Sequence, residues 1–312
     1  MDITLRQLSY FVALADTQSF NMAATRVNVS QPALSQQIKE MEQRLGTILV
    51  ERLPREIRLT RSGQAVLVRA RQLLADAQDL RRVAGLGRGL AGALRLGVIP
   101  TIAPYLLPVA LTRLKAADLT LDIRVREAMT GQLVTDVAEG RLDAAVMSLP
   151  ITAPTLRAIP LFRDRFVLAG SRSRLAGMDR AQEHLRPDTL PQDQLLLLDE
   201  GHCLADQALE VCGMGRDGRS LDLGASSLST LSGLVAQGFG LTLLPEISLP
   251  TETRAAPELA TRRFTAPEPA RQVALVHRLS TPDDGWLGEL ADTMREAGEE
   301  LIRHAAGLPQ AA

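Results

Sequence analysis

The stretch GLGRGLAG at residues 85–92 constrains this chain more than any other. Glycine fills four of its eight positions, and each glycine costs a helix interior about 1 kcal/mol relative to alanine. The stretch therefore reads as a flexible hinge, and the chain divides there. Gly87, Gly89 and Gly92 also match G-x-G-x-x-G, the dinucleotide fingerprint. That match is set aside, because the fingerprint follows a strand and opens a helix. Here a helical run precedes it and the strand-like ALRLGVIP follows.

The two sides of the hinge carry opposite charge. Residues 1–92 hold 13 Arg/Lys against 8 Asp/Glu, and residues 93–312 hold 22 against 28. A basic head on an acidic body suggests a nucleic-acid-binding unit attached to something of a different kind. At 312 residues the chain is too long for one small core. It contains no apolar run of membrane-spanning length, so no membrane partner is expected. Its first residues, MDITLRQLSYFVALADTQSF, lack the pattern of a secretory signal. The expected location is the cytoplasm, where cysteines stay reduced unless something oxidises them.

Before the hinge the apolar periodicity is helical. Leu5, Leu8, Phe11, Val12 and Ala15 form one stripe; Ser19 can cap a second helix, and Ser30 a third with Pro32 in its first turn. Leu34, Ile38, Met41 and Leu45 form the inner face of that third helix, stopped by Gly46, with Gln31, Ser35, Gln36 and Lys39 opposite. The segment IRLT then reads as one strand of a short hairpin. Two short helices, a third with a polar groove-sized face, and a hairpin make a winged helix-turn-helix. Gln and Ser at the start of the third helix can reach base edges, and Arg52, Arg55 and Arg58 in the wing can neutralise phosphates. Val66, Ala70, Leu73, Ala77, Leu80 and Ala84 then repeat at heptad spacing, a seam suited to pairing with a twin helix.

After the hinge, strand-like and helix-like runs alternate. ALRLGVIP, LTLDIRVRE, LDAAVMS, RFVLAGS, QLLLLDE and RQVALVHR read as strands, with helices from near Pro104, from about Gly131 and over Leu287–His304. The alternation predicts an α/β body with parallel sheets, long enough for two lobes around a cleft. The expected organisation is a head at 1–61, a linker helix and hinge at 62–92, and a body at 93–303. Within the body one lobe takes 93–165 plus 270–303 and the other 166–269, and a short tail at 304–312 ends the chain.

The only two cysteines, Cys203 and Cys212, lie on GHCLADQALEVC. Buried structural thiols are the plain reading of such a pair. A zinc site with His202 lacks a usual spacing and a fourth ligand, so no metal is expected. Cys203 falls where a helix should begin, so helix-terminal N–H groups can favour its anion, the reactive form of a thiol. If 203–212 is one helix, nine steps rotate by about 900° and rise about 13.5 Å, while a disulfide needs Cα atoms within about 7 Å. A disulfide between these thiols must therefore unwind the helix or pull Cys212 out of its neighbourhood. Cys212 is expected on the apolar side near Leu204, Ala208 or Val211. Thr101, Thr130, Ser226 and Ser227 have no partnered base at a recognisable spacing, so enzymatic catalysis is not expected. The other histidines, 184, 277 and 304, are expected to play no special role.

The segment SFNMAATRVNVSQPALSQQIKEMEQRLGTILVERLPREIRLTRSG closely resembles the DNA-binding head of LysR-type transcriptional regulators, through A-A-x-x-x-x-V-S-Q-P-A-L-S and the L-T-x-x-G that follows. The resemblance implies a winged helix-turn-helix, a dimerising linker helix and a two-lobed body like a periplasmic binding protein. It also implies tetramers on double-stranded promoter DNA and contact with RNA polymerase. Gln31, Pro32, Ser35 and Gln36 would face the major groove, with Arg55 at the wing. In the body, VIPTIAPYLLP, EAMTGQL, LLLDEGHCLADQA, ASSLSTL, GFGLTLLP and EPARQVALVHR are similar to stretches of the peroxide-sensing members of that family. That similarity implies hydrogen peroxide as the signal, without a cofactor. Cys203 would be the thiol it oxidises and Cys212 the thiol that resolves the product. Thr101, Thr130, His202 and Asp206 would form the pocket, with Arg271 near the thiolate. A family member responding to a small organic metabolite, its cysteines incidental, is the alternative.

Overall fold

A computed structural model describes residues 3–52, 57–84, 93–118, 121–178, 185–214, 225–282 and 285–308. The hinge, Arg55, His184 and residues 215–219 lie outside them. By their internal packing, residues 1–87 with 136–141 and 280–282 form one unit and the remainder another.

The first unit opens with α1 (Leu5–Thr17), where Thr4 and Gln7 make a reciprocal capping box at 3.2 Å in both directions. Ser19 caps α2 (Phe20–Arg26), and Ser30 caps α3 (Gln31–Leu45), with Pro32 in the first turn. Gly46 ends α3 at φ +67°, a conformation a side chain would strain. Phe11, Leu14, Leu34, Ile38 and Met41 are wholly buried where the three helices meet. Each contributes about 1.5–3 kcal/mol by leaving water. The wing is a two-stranded antiparallel ribbon, β1 (Val50–Arg52) with β2 (Ile57–Leu59).

The long helix α4 (Arg61–Ala84) follows. Its heptad seam does not act as one surface. Ala70 is 1% exposed in the helix-turn-helix core, and Val66 packs against that core together with Leu67 and Leu74. Farther along, Leu73 and Leu80 are 52% and 70% exposed. The N-terminal end of the seam therefore faces its own domain.

The second unit is built on one mixed sheet with strand order β4-β3-β5-β9-β6-β7 and β8 paired to β6. In chain order the elements after α4 are β3 (Ala93–Val98), α5 (Ala103–Ala117), β4 (Asp122–Glu127), α6 (Thr130–Ala138), β5 (Ala144–Ser148) and β6 (Leu156–Ser171). Next come α7 (Arg172–Gly177), α8 (Cys203–Val211), α9 (Leu228–Ala236), β7 (Thr242–Pro245), α10 (Leu249–Ala255), β8 (Leu259–Arg262), β9 (Ala270–Arg278) and α11 (Trp286–Ala306).

Among the described strands, β3 with β4 and β3 with β5 are the parallel pairs; β9 runs antiparallel to β5 and β6, and β6 antiparallel to β7 and β8. The α/β body is as expected, but its sheet is mixed: the expected parallel pairing is confined to β3, β4 and β5. β9, drawn from late in the chain, lies between β5 and β6 and antiparallel to both, so those two strands run in the same direction without being neighbours. The single strand β6 pairs with β9 along 156–165 and with β7 and β8 along 166–171. QLLLLDE forms no strand; Leu195 and Leu198 make isolated bridges to Leu241 and Ala225 while their side chains are buried. The last helix continues through Ala306, beyond the expected start of the tail. Gly298 lets it approach β6, since a Cβ there would lie 2.2 Å from the Phe162 ring.

Candidate functional site

The segment GHCLADQALEVC folds as one helix with a thiol at each end. Gly201, at φ +96°, turns the chain, and His202 is the N-cap, so Cys203 is the first residue of α8. The unpaired N–H groups of a first turn stabilise nearby negative charge. Asp206, in that same turn, is exposed. At the other end Cys212 is the C-cap and Gly213 adopts φ +65°. Met214 N donates to Leu209 O at 2.8 Å and Gly213 N to Glu210 O at 3.0 Å, the paired bonds of a Schellman turn. An uninterrupted helix thus separates the two thiols, which places their Cα atoms about 13.5 Å apart along its axis.

The thiols sit in contrasting surroundings. Cys203 is half-buried, while Cys212 is 4% exposed. Burial pushes the Cys212 thiol up to about 11, and the negative charge of Asp188 adds to the effect. Leu204 and Ala208, expected among its apolar surroundings, are buried, and the Cys212 N–H donates to Ala208 O at 3.0 Å.

Over Cys203 lies a recess with an empty volume of ≈ 160 Å³ and no space for a water-sized sphere. Three short pieces of chain build it. Ile99, Pro100 and Thr101 come from the turn between β3 and α5, Met129 and Thr130 from the start of α6, and Gly201 and His202 precede the thiol. The recess thus unites Thr101, Thr130, His202 and Cys203, which are far apart in sequence.

Its polar groups are largely unsatisfied. Thr130 Oγ1 and both ring nitrogens of His202 are buried without a hydrogen-bond partner. Burial holds His202 below the ordinary imidazole value, opposed by the Asp199 carboxylate. The Ser226 backbone lies close enough to oppose the shift too, without reaching hydrogen-bonding geometry. A buried polar atom without a partner costs about 1–3 kcal/mol. Three of them around one thiol mark a site that a small donor–acceptor molecule would complete.

Arg271 does not line the recess; it stands behind Thr101. Its guanidinium donates to Thr101 Oγ1 at 2.8 Å, Thr101 O at 3.1 Å and the buried Asp164 carboxylate at 2.9 Å. Asp164 also accepts from Ile247 N at 3.1 Å. Asp206 likewise lies outside the recess lining. Sequence reasoning missed Asp164 and Met129; the latter stood beside Thr130 in EAMTGQL, where an apolar residue carried no signal. Ser227, a hydroxyl without a partnered base in the sequence, caps α9 by accepting from Thr230 N at 3.2 Å.

In the first unit, Gln31, Pro32 and Gln36 are exposed along α3, while Ser35 is half-buried. Gln36 Nε2 donates to Glu40 Oε1 at 2.9 Å. Arg58, on β2, is exposed.

The family profile described as the LysR substrate binding domain matches residues 87–299, and that of the bacterial regulatory helix-turn-helix protein, lysR family, matches residues 5–64. The chain is 39% identical over 300 residues to a probable hydrogen peroxide-inducible genes activator of Streptomyces viridosporus, covering 96% of this chain and 95% of that one. It is 38% identical over 294 residues to the HTH-type transcriptional regulator EstR of Acinetobacter baylyi, covering 94% and 96% respectively. Among solved structures, a full-length OxyR variant from Pseudomonas aeruginosa matches with a TM-score of 0.79 at 34% identity, over 95% of each chain. With both profiles matched in order and the fold shared along its length, the chain belongs to the LysR family of bacterial helix-turn-helix regulators.

Proposed function

We propose that this chain is a DNA-binding transcription regulator, not an enzyme, that senses hydrogen peroxide through Cys203 and thereby controls antioxidant genes. The observation that carries the reading is the recess itself: one half-buried thiol at a helix N-terminus, faced by three unpartnered buried polar atoms. Hydrogen peroxide is small and both donates and accepts hydrogen bonds, which suits Thr130 and His202. The Cys203 thiolate attacks one peroxide oxygen, the O–O bond breaks, and hydroxide leaves as the sulfenic acid forms. The Cys212 thiol then displaces water from that sulfenic acid, giving a disulfide. Thr101 completes the pocket, Arg271 positions Thr101, and Asp206 complements the first turn of α8.

Because α8 separates the thiols, disulfide formation unwinds the helix and rebuilds the segment, a two-state element of the kind a switch requires. The body acts as two lobes, 93–165 with 270–303 and 166–269, and its rearrangement alters an oligomer on promoter DNA. The exposed end of α4 pairs two copies, a tetramer forms from two such pairs, and RNA polymerase is the partner in activation. On DNA, Gln31, Pro32, Ser35 and Gln36 enter the major groove and Arg55 follows the backbone. The regulator works in the cytoplasm.

EstR, a relative whose name specifies no peroxide response, matches almost as well, so overall identity does not choose the signal. Thiol titration of the full chain does. Loss of two thiols per chain at low peroxide, with faster migration of the intact monomer on a non-reducing gel, supports the peroxide reading. Unchanged thiols, together with stabilisation by an organic acid, would replace it with a metabolite-responsive regulator. In cells, Cys203→Ser abolishes the peroxide response, and normal induction by that variant would sink the mechanism. Cys212→Ser leaves DNA binding by the reduced protein intact.

A further inference from the structure

Any oxidant that reaches Cys203 must displace something, because the recess as it stands admits no water-sized sphere. Most of its walls are fixed. Both Thr101 oxygens accept hydrogen bonds from Arg271, and Ile99 N is tied to Val146 O at 3.2 Å. His202 is 3% exposed, and Thr130 opens α6. The Met129 backbone is also held, its carbonyl accepting from Leu133 N at 3.0 Å. Its side chain is different. At 36% it is the most exposed side chain around the recess, and an unbranched thioether turns easily about three bonds.

Gly201 supplies the facing edge. A Cβ built there would lie 3.9 Å from Met129 Cγ, in ordinary van der Waals contact. The two exposed residues of the lining, Gly201 with its bare backbone and Met129 with its side chain, therefore lie against each other. The thioether donates no hydrogen bond and accepts only weakly, so it competes little with Thr130 or His202 for a bound peroxide.

We propose that Met129 is the size gate of the Cys203 recess, swinging aside for hydrogen peroxide and excluding hydroperoxides that carry a bulky alkyl group. The gate rests on the peroxide reading and adds to it what sets oxidant selectivity. Met129 does no chemistry; it decides which oxidant meets the thiolate.

The test uses the full chain and follows loss of the Cys203 thiol with hydrogen peroxide and with tert-butyl hydroperoxide. Met129→Ala is expected to raise the tert-butyl hydroperoxide rate by roughly tenfold or more, the scale on which a few methylenes discriminate in a pocket. The hydrogen peroxide rate should change far less, so the ratio of the two rates falls. Met129→Leu, similar in size, should keep the original ratio. An unchanged ratio in Met129→Ala overturns the gate. Should that variant fail to fold, Met129→Phe decides: it must slow the alkyl hydroperoxide more than hydrogen peroxide, and equal effects on both overturn the proposal. If the unsubstituted chain loses no thiol to hydrogen peroxide, the peroxide reading falls first and the gate with it.

Discussion

Gln207 Nε2 donates to Ser148 Oγ at 2.8 Å and to Leu149 O at 3.2 Å, tying the middle of the cysteine helix to the end of β5. These bonds must break if oxidation unwinds α8. At about 0.5–1.5 kcal/mol net for each, they favour the reduced form by roughly 1–3 kcal/mol. Gln207→Ala should therefore shift the thiol–disulfide equilibrium toward the disulfide by about tenfold in a glutathione buffer. An unshifted midpoint would show that the contact survives oxidation.

Cys212 gives a second expectation with a definite sign. Its thiol is held protonated up to about 11 by burial, so at neutral pH only about one molecule in ten thousand carries the thiolate. Under native conditions iodoacetamide should modify Cys203 far faster than Cys212, and in urea the two should react alike. A folded-state pKa above the unfolded value of about 8.5 contributes stability that is complete below the lower value and lost as pH rises through the upper one. The reduced protein should thus lose on the order of 2 kcal/mol between about pH 8.5 and 11 through this group. Urea titrations of Cys212→Ala over the same range should show a flatter decline.

Local signals carried much of the fold. Ser19, Ser30 and Gly46 marked helix ends because capping is decided by residues three or four apart, and the start of a helix at Cys203 was legible in the same local way. Strand direction was not local. RQVALVHR reads as a buried strand in either direction, and its antiparallel pairing with β5 and β6 joins segments far apart in the chain. The Arg271–Asp164 pair joins residues 107 apart, beyond any periodicity. The seam on α4 was visible, but periodicity could not say that Ala70 would be spent on its own domain's core.

His202 is the third test. Burial holds its folded pKa down, so the native state keeps the neutral ring. Its contribution to stability is present above the unfolded value of about 6.5 and is lost as pH falls through the folded value. His202→Gln should blunt acid destabilisation below about pH 6.5, read by urea unfolding. The same variant should slow Cys203 oxidation about a hundredfold if an unpartnered ring nitrogen engages the peroxide. An unaltered rate would remove His202 from the pocket's chemistry.

The buried pair Arg271 and Asp164 stands behind Thr101, and neither side chain is exposed to solvent. Burial raises the Asp164 carboxyl, and the guanidinium together with Ile247 N–H pulls it back. Arg271→Ala strands that carboxylate and should cost about 3–5 kcal/mol of unfolding free energy. Adding Asp164→Asn should recover part of the loss in a double-mutant cycle, since the abandoned charge is gone. Equal costs for Arg271→Ala with and without the second change would mean that the pair is not coupled.

The last prediction concerns DNA. Gln36 is exposed on α3, but its amide is engaged with Glu40 at 2.9 Å, so reading a base requires that bond to be exchanged. A base-edge contact is worth about 1–3 kcal/mol of discrimination, whereas a phosphate contact changes affinity on all sequences alike. Gln36→Ala should therefore narrow the gap between promoter and unrelated DNA about five- to a hundredfold, leaving the salt dependence of binding unchanged. Arg58→Ala, in the wing, should weaken both kinds of DNA together and reduce the salt slope by about one unit. Competition binding at two salt concentrations separates these outcomes, and a uniform loss from Gln36→Ala would assign that side chain to the backbone instead of the bases.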